Sequence, residues 1–135
     1  MNYKIQEIEG IGPANADKLA AAGIDSTAGL LRLCCTSKGR REVAEKTGVT
    51  EAKLLKWANM ADLMRISGIG AEFSELLEAA GVDTVKELRT RNIDNLAAKM
   101  REVNEQKKLT RTVPSAKTVS KWVDQAAQLT PVISH

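Results

Sequence analysis

The sequence has few aromatic residues: two Trp, one Tyr and one Phe, 3% of 135 residues. A core must therefore be built from Leu, Ile, Val, Ala and Met. That composition favours packed helices over sheets, because strands draw on β-branched and aromatic side chains. Histidine occurs once, as His135. Histidine-based acid–base chemistry is thereby excluded. The chain also lacks a P-loop, a serine nucleophile motif and Cys/His zinc spacing, so neither catalysis nor a metal or cofactor is expected. The two cysteines, Cys34 and Cys35, are adjacent, a spacing at which they rarely bridge each other. They read as packing residues of a reduced, cytoplasmic protein. No basic start followed by an apolar run suggests a signal peptide, and no stretch nears the ~20 apolar residues of a membrane span, so no membrane partner is expected.

The length fits one ordinary domain or two very small ones. The net charge of +3 and pI near 8.9 permit contact with nucleic acid without arguing for it. Charge is also evenly spread: residues 1–64 carry 9 basic and 8 acidic side chains, and residues 65–135 carry 11 and 9.

What the chain does contain is a repeat. Ile8 to Leu31 lies over Ile66 to Arg89 without a gap, at a shift of 58 residues. Ten of these 24 positions are identical: Ile8, Gly10, Ile11, Gly12, Leu19, Ala21, Ala22, Gly23, Asp25 and Leu30. Farther on, Thr50, Leu54, Trp57, Ala61 and Met64 align with Ser115, Val119, Trp122, Ala126 and Leu129 at a shift of 65. Each set forms one apolar stripe at helical spacing with a tryptophan in the same place. The extra seven residues fall in the polar stretch Asn104 to Thr112.

Capping signals divide each copy into four helices. Pro13 after the first Gly-Ile-Gly opens a helix that Gly23 ends. Asp25 or Ser26 caps the next, Ser37 the third, and Thr50 the longest. In the second copy Gly70 leads a helix that Gly81 stops, and Thr84, Asn92 or Asp94, and Ser115 cap the rest. The expected fold is all-α: two tandem helix-hairpin-helix (SAM-like) units related by a pseudo-two-fold duplication, residues 1–64 and 65–135, packed as one compact body. The second hairpin follows a long helix and the first does not. The last helix is therefore expected to fold back on the first hairpin, or to exchange between two chains. The oligomeric state is left open.

The hairpins carry the candidate chemistry. Their glycines allow positive φ and close approach of the backbone to a ligand. The helix start after them offers unpaired N–H groups and a partial positive charge, a site for an anion. Ile11 and Ile69 between the glycines anchor the turns. Such hairpins bind DNA phosphates without reading bases, and equally often serve only as tight helix corners. Gly10, Gly12, Asn15 and Lys18 make the first hairpin a candidate phosphate site, although Asp17 lies among them. The second, with Gly68, Ile69 and Gly70, is followed by Glu72, Glu75 and Glu78, which repel an anion. It reads as a structural corner or a protein contact.

Two basic clusters lie elsewhere, Lys38 with Arg40 and Arg41, and Lys99, Arg101, Lys107, Lys108 and Arg111. Runs of this kind are more often solvated helix surface than ligand sites. The denser Lys38, Arg40 and Arg41 patch is the candidate. Trp57 and Trp122 belong to core stripes, and capping explains Asp25 and Asp83.

The stretches Lys53–Leu63, Ser67–Gly70, Leu76–Leu88 and Val103–Leu109 are similar to a bacterial helix-hairpin-helix family, domain of unknown function family 4332. The resemblance covers nearly the whole chain. It implies a soluble bacterial protein with tandem units and no established activity. The wider superfamily includes DNA-repair and polymerase modules that hold duplex backbone, often with a monovalent cation at the hairpin carbonyls. Two departures separate this chain from those modules: hairpins 58 residues apart, and an acidic second hairpin. The leading expectation is a non-catalytic module that binds duplex DNA without sequence preference. The alternative is a protein-interaction module whose hairpins are purely structural.

Overall fold

The computed structural model describes residues 2–135. After a 3-10 turn at Ile5–Glu7 come eight helices: α1 (Pro13–Ala21), α2 (Thr27–Cys34), α3 (Ser37–Thr47), α4 (Glu51–Leu63), α5 (Ala71–Ala79), α6 (Val85–Leu88), α7 (Ile93–Lys107) and α8 (Ala116–Gln128). The all-α expectation holds. Among the described residues the only extended pairing is an isolated bridge between Lys4 and Ser26.

Local chemistry accounts for most of the boundaries. The side chains of Ser26, Thr36, Thr50, Thr84, Asn92 and Ser115 each accept a hydrogen bond from the amide three residues on, fixing the starts of α2, α3, α4, α6, α7 and α8. The third cap is Thr36, not Ser37. Thr36 adopts the extended backbone that a cap requires, and Ser37 is already helical. The longest helix is α7, at 15 residues against 13 for α4. It extends into the polar stretch at 104–112 and ends in a left-handed Lys108. Beyond that end, the Asn104 carboxamide holds both the N–H and the C=O of Thr110, at 2.9 and 3.0 Å.

Buried side chains form two clusters. One holds Ile5, Ile8, Ile11, Leu19, Leu30, Leu54 and Trp57. The other holds Leu63, Ile66, Ile69, Leu76, Leu77, Val119 and Trp122. Helix α4 lies between them, touching α2 and α3 on one side and α5 on the other. Its residues Trp57 to Leu63 are buried without interruption, so the second half of α4 is covered all round and does not show the single stripe expected of it, while Glu51, Ala52, Lys53 and Lys56 in its first half are exposed. The stripe of α8, by contrast, is Val119, Trp122 and Ala126.

The expected fold-back of the last helix does not occur. Helix α8 packs on α6 and α7, and Trp122 lies against Phe73 with ring centroids 5.3 Å apart. Its apolar stripe is therefore satisfied within the second cluster. The first cluster is reached instead by the segment after α8: Ile133 packs against it, and the Ser134 amide donates to Cys35 O at 2.8 Å.

Candidate functional site

The two glycine turns share a backbone plan. In the first, Ile8 N donates to Ile5 O and Ile11 N to Ile8 O, at 3.2 and 3.3 Å; in the second, Ile66 N donates to Leu63 O and Ile69 N to Ile66 O, both at 3.1 Å. Ile11 and Ile69 are fully buried and anchor the turns. Gly10 and Gly68 hold φ of 90° and 95°, which non-glycine residues rarely adopt. Each faces a tryptophan. A Cβ on Gly10 would lie 3.7 Å from Trp57 Nε1, and one on Gly68 would lie 3.2 Å from Trp122 Nε1.

The turns then diverge. Gly12 has a φ of 46°, whereas Gly70 is extended at −99°. The Gln125 carboxamide accepts from Ser67 N at 3.1 Å and donates to Ser67 O at 3.4 Å, closing the second turn. The residue 65 places before Gln125 is Met60, which cannot form such a pair. No hydrogen bond within the described residues occupies the main chain of Glu9. This asymmetry is legible in the sequence, because Gln125 and Met60 are adjacent to aligned positions of the two long helices.

Helices α1 and α5 are the two α-helices without a side-chain cap, their N-caps being Gly12 and Gly70. Pro13 supplies no N–H, so the donors at the mouth of α1 are Gly12, Ala14 and Asn15. The first turn of α1 has no acid, whereas that of α5 has Glu72. Lys18 is exposed in the last turn of α1, about 9 Å along the axis from Gly12, and leans toward the helix start as helical side chains do. Asn15 is half-buried.

The Gly10 side of the turn is electrically different from the Gly12 side. Glu9 and Gly10 line a cleft with Lys56, Glu75, Glu78 and Lys107, and neither Gly12 nor Lys18 borders it. The Glu75 carboxyl is held above its ordinary range, first by burial and then by Glu9, with Lys56 opposing and Glu78 and Glu72 adding to the rise. An anion is therefore disfavoured at Gly10 relative to Gly12.

The basic patch needs one correction. Lys38 and Arg41 are exposed, but Arg40 is only 4% exposed. Its guanidinium donates to Cys34 O at 2.9 Å and to Ser134 O at 2.7 Å. Two helical steps of 100° turn Arg40 away from the face of Lys38, while Arg41, three residues on, returns to it. Arg40 therefore faces inward, and the surface patch is Lys38 and Arg41.

Cys34 is buried, and burial pushes its thiol up to about 11, against the opposing effect of Arg40 and with Cys35 adding to the rise. Iodoacetamide at neutral pH should therefore alkylate Cys35 in the native protein and spare Cys34 until the chain is unfolded. Peptide mass spectrometry reads the order, and equal native labelling would contradict the burial of Cys34. Among the described residues no group of three or more His, Cys, Asp or Glu is placed to hold a metal ion, and no helix is long and apolar enough to cross a membrane.

A family model described as "Domain of unknown function (DUF4332)" matches residues 9–129. The chain belongs to that family. The match spans both glycine turns and all eight α-helices and stops at Leu129, leaving residues 130–135 outside it. Neither a curated protein nor a solved structure matches the chain.

Proposed function

We propose that the chain is a non-enzymatic, duplicated helix-hairpin-helix module that holds the backbone of duplex DNA through its first hairpin, without sequence preference. The observation that carries this reading is the uncapped start of α1. Six helices have their first turn satisfied by a Ser, Thr or Asn side chain, and α1 has not. Free amides at a helix start and the positive end of the helix dipole suit a phosphate. Gly12, Ala14 and Asn15 supply the amides. Lys18, Lys38 and Arg41 supply the charge. Phosphate contacts fix position and carry no base information.

A second reading applies to the second hairpin. Gln125 already occupies its main chain, and Glu72, Glu75 and Glu78 follow it. That hairpin suits a protein contact or a purely structural corner.

The test is a duplex-DNA titration at two salt concentrations. Three cationic contacts predict log K falling with a slope of about −2.7 in log salt, hence about 40-fold weaker binding at ~200 mM than at ~50 mM salt. Lys18→Glu should reduce the slope by about one. No binding at ~50 mM, or a variant that matches wild type, would remove the phosphate role of the first hairpin.

A further inference from the structure

Residues 130–135 leave α8 without helical structure and lie across the rest of the chain as a strap. Their polar anchors run mainly through the main chain. Arg65 donates to Thr130 O at 3.0 Å, Arg40 donates to Ser134 O at 2.7 Å, and Ser134 N donates to Cys35 O at 2.8 Å. The one side-chain bond is from Ser134 Oγ to Cys35 O at 3.4 Å. Ile133 packs into the first cluster. Recognition by carbonyls, one amide and a single branched side chain is how extended peptides are captured, since any main chain offers the same groups.

Three further observations indicate that the seat suits other occupants. The guanidinium of Arg40 is buried with no carboxylate in bonding range, held by two carbonyls, one of which belongs to the strap. A buried cation needs such acceptors, so the seat requires a carbonyl wherever it comes from. Val132 is under-packed. At 39% exposure it is the one exposed large hydrophobic residue among those described, and it borders two unfilled clefts. One is lined by Asp83, Thr84, Lys86 and Glu87 near α6, the other by Thr27 and Leu31 of α2 and by Cys35 just after it. Finally, the residues of the seat fall inside the family match and the strap falls outside it.

We propose that this seat between α2 and α6 is a docking site for an extended peptide segment of a protein partner, and that residues 130–135 fill it in cis. The segment has a branched aliphatic residue at the Ile133 position and an aliphatic residue larger than valine before it. The site is separate from the α1 mouth and does not depend on DNA binding.

The probe is an acetylated, amidated synthetic copy of residues 130–135, with a second copy carrying Val132→Leu. The proteins are the full chain and its Ile133→Asp and Ser134→Pro variants, each of which removes one anchor. In Ile133→Asp, hydrogen exchange should show the Ser134 amide, the one hydrogen-bonded amide among the described residues of the strap, losing protection while the helices keep theirs. The peptide should bind both variants at least tenfold more tightly than wild type, because a tethered strap competes at an effective concentration of ~mM. The Val132→Leu copy should bind more tightly than the parent copy, and adding Arg40→Met to Ile133→Asp should weaken both. Four results would each overturn the proposal: no binding to the loosened variants up to ~mM, equal binding to wild type, a Ser134 amide that stays protected in Ile133→Asp, or helices that melt in both variants. A duplex-DNA titration of the same proteins reads the hairpin independently, so either reading can fail without the other.

Discussion

Gly39→Ala should destabilise the protein by about 3 kcal/mol, lowering the melting temperature by about 10 °C. The usual expectation has the opposite sign, since alanine is favoured over glycine inside a helix by about 1 kcal/mol. Gly39 is the third residue of α3, and its backbone does not need positive φ. The cost comes from the corner before it. Helix α2 ends at Cys34 and α3 begins at Ser37, and this short connection brings the carbonyl of Leu33 against α3. A Cβ on Gly39 would lie 2.0 Å from Leu33 O and 3.2 Å from both Leu33 C and Thr36 Oγ1. The closest neighbour is backbone, which cannot turn aside as a side chain does. The α2–α3 corner must open, and with it the Thr36 cap on Gly39 N, now 3.0 Å long. Gly29 is the natural control. It too is the third residue of its helix, capped by Ser26, but a Cβ there meets only Ser26 Oγ at 3.4 Å, an ordinary contact. Gly29→Ala should therefore stabilise by about 0.5–1 kcal/mol. Urea melts followed by circular dichroism read both variants. A neutral or stabilising Gly39→Ala would refute the corner described for α2 and α3.

That contrast marks where the sequence stops being legible. Helix starts are local events, and Ser26, Thr50, Thr84 and Ser115 could be identified because each cap bonds an amide three residues away. The inward turn of Ile11 and Ile69 followed from glycines on both sides of each. Facts set by distant parts of the chain were hidden. Lys38, Arg40 and Arg41 look alike in sequence, but the groups that receive the Arg40 guanidinium include a carbonyl 94 residues away. Helices α4 and α8 carry the same stripe, but α4 meets α2, α3 and α5 and is buried continuously from Trp57 to Leu63, whereas α8 meets α6 and α7 and buries only Val119, Trp122 and Ala126. The last helix was expected on the first hairpin because that hairpin lacked a preceding helix. Trp57, arriving from α4, already covers it, and the six residues after Leu129 make the return instead.

Asp62→Ala should cost about 3 kcal/mol or more, a loss comparable to that of Gly39→Ala but arising from polar groups. Asp62 is 1% exposed near the end of α4, and each carboxylate oxygen has its own partner. Oδ1 accepts from Arg65 at 2.8 Å, and Oδ2 accepts from the Val85 amide at 2.9 Å. Val85 is the first residue of α6, a helix of only four residues. Thr84 caps the Glu87 amide, so the Val85 amide relies on Asp62. Alanine leaves that buried donor unpaired, and the Arg65 guanidinium, 21% exposed on its side chain, keeps only Thr130 O. Asp62→Asn retains one acceptor oxygen but loses the charge, and should fall between wild type and alanine, at about 1–2 kcal/mol. Arg65→Met should cost less than Asp62→Ala, because the carboxylate still caps α6. In the double variant the losses should fall short of their sum by about 1 kcal/mol, the coupling expected of a contacting pair. Native-state hydrogen exchange separates the two roles. Asp62→Ala should expose the amides of α6 before those of α2 and α3, whereas Arg65→Met should loosen residues 130–135 first. Uniform loss of protection in both variants would mean that Asp62 contributes burial alone and that α6 is held by its apolar contacts through Val85 and Leu88.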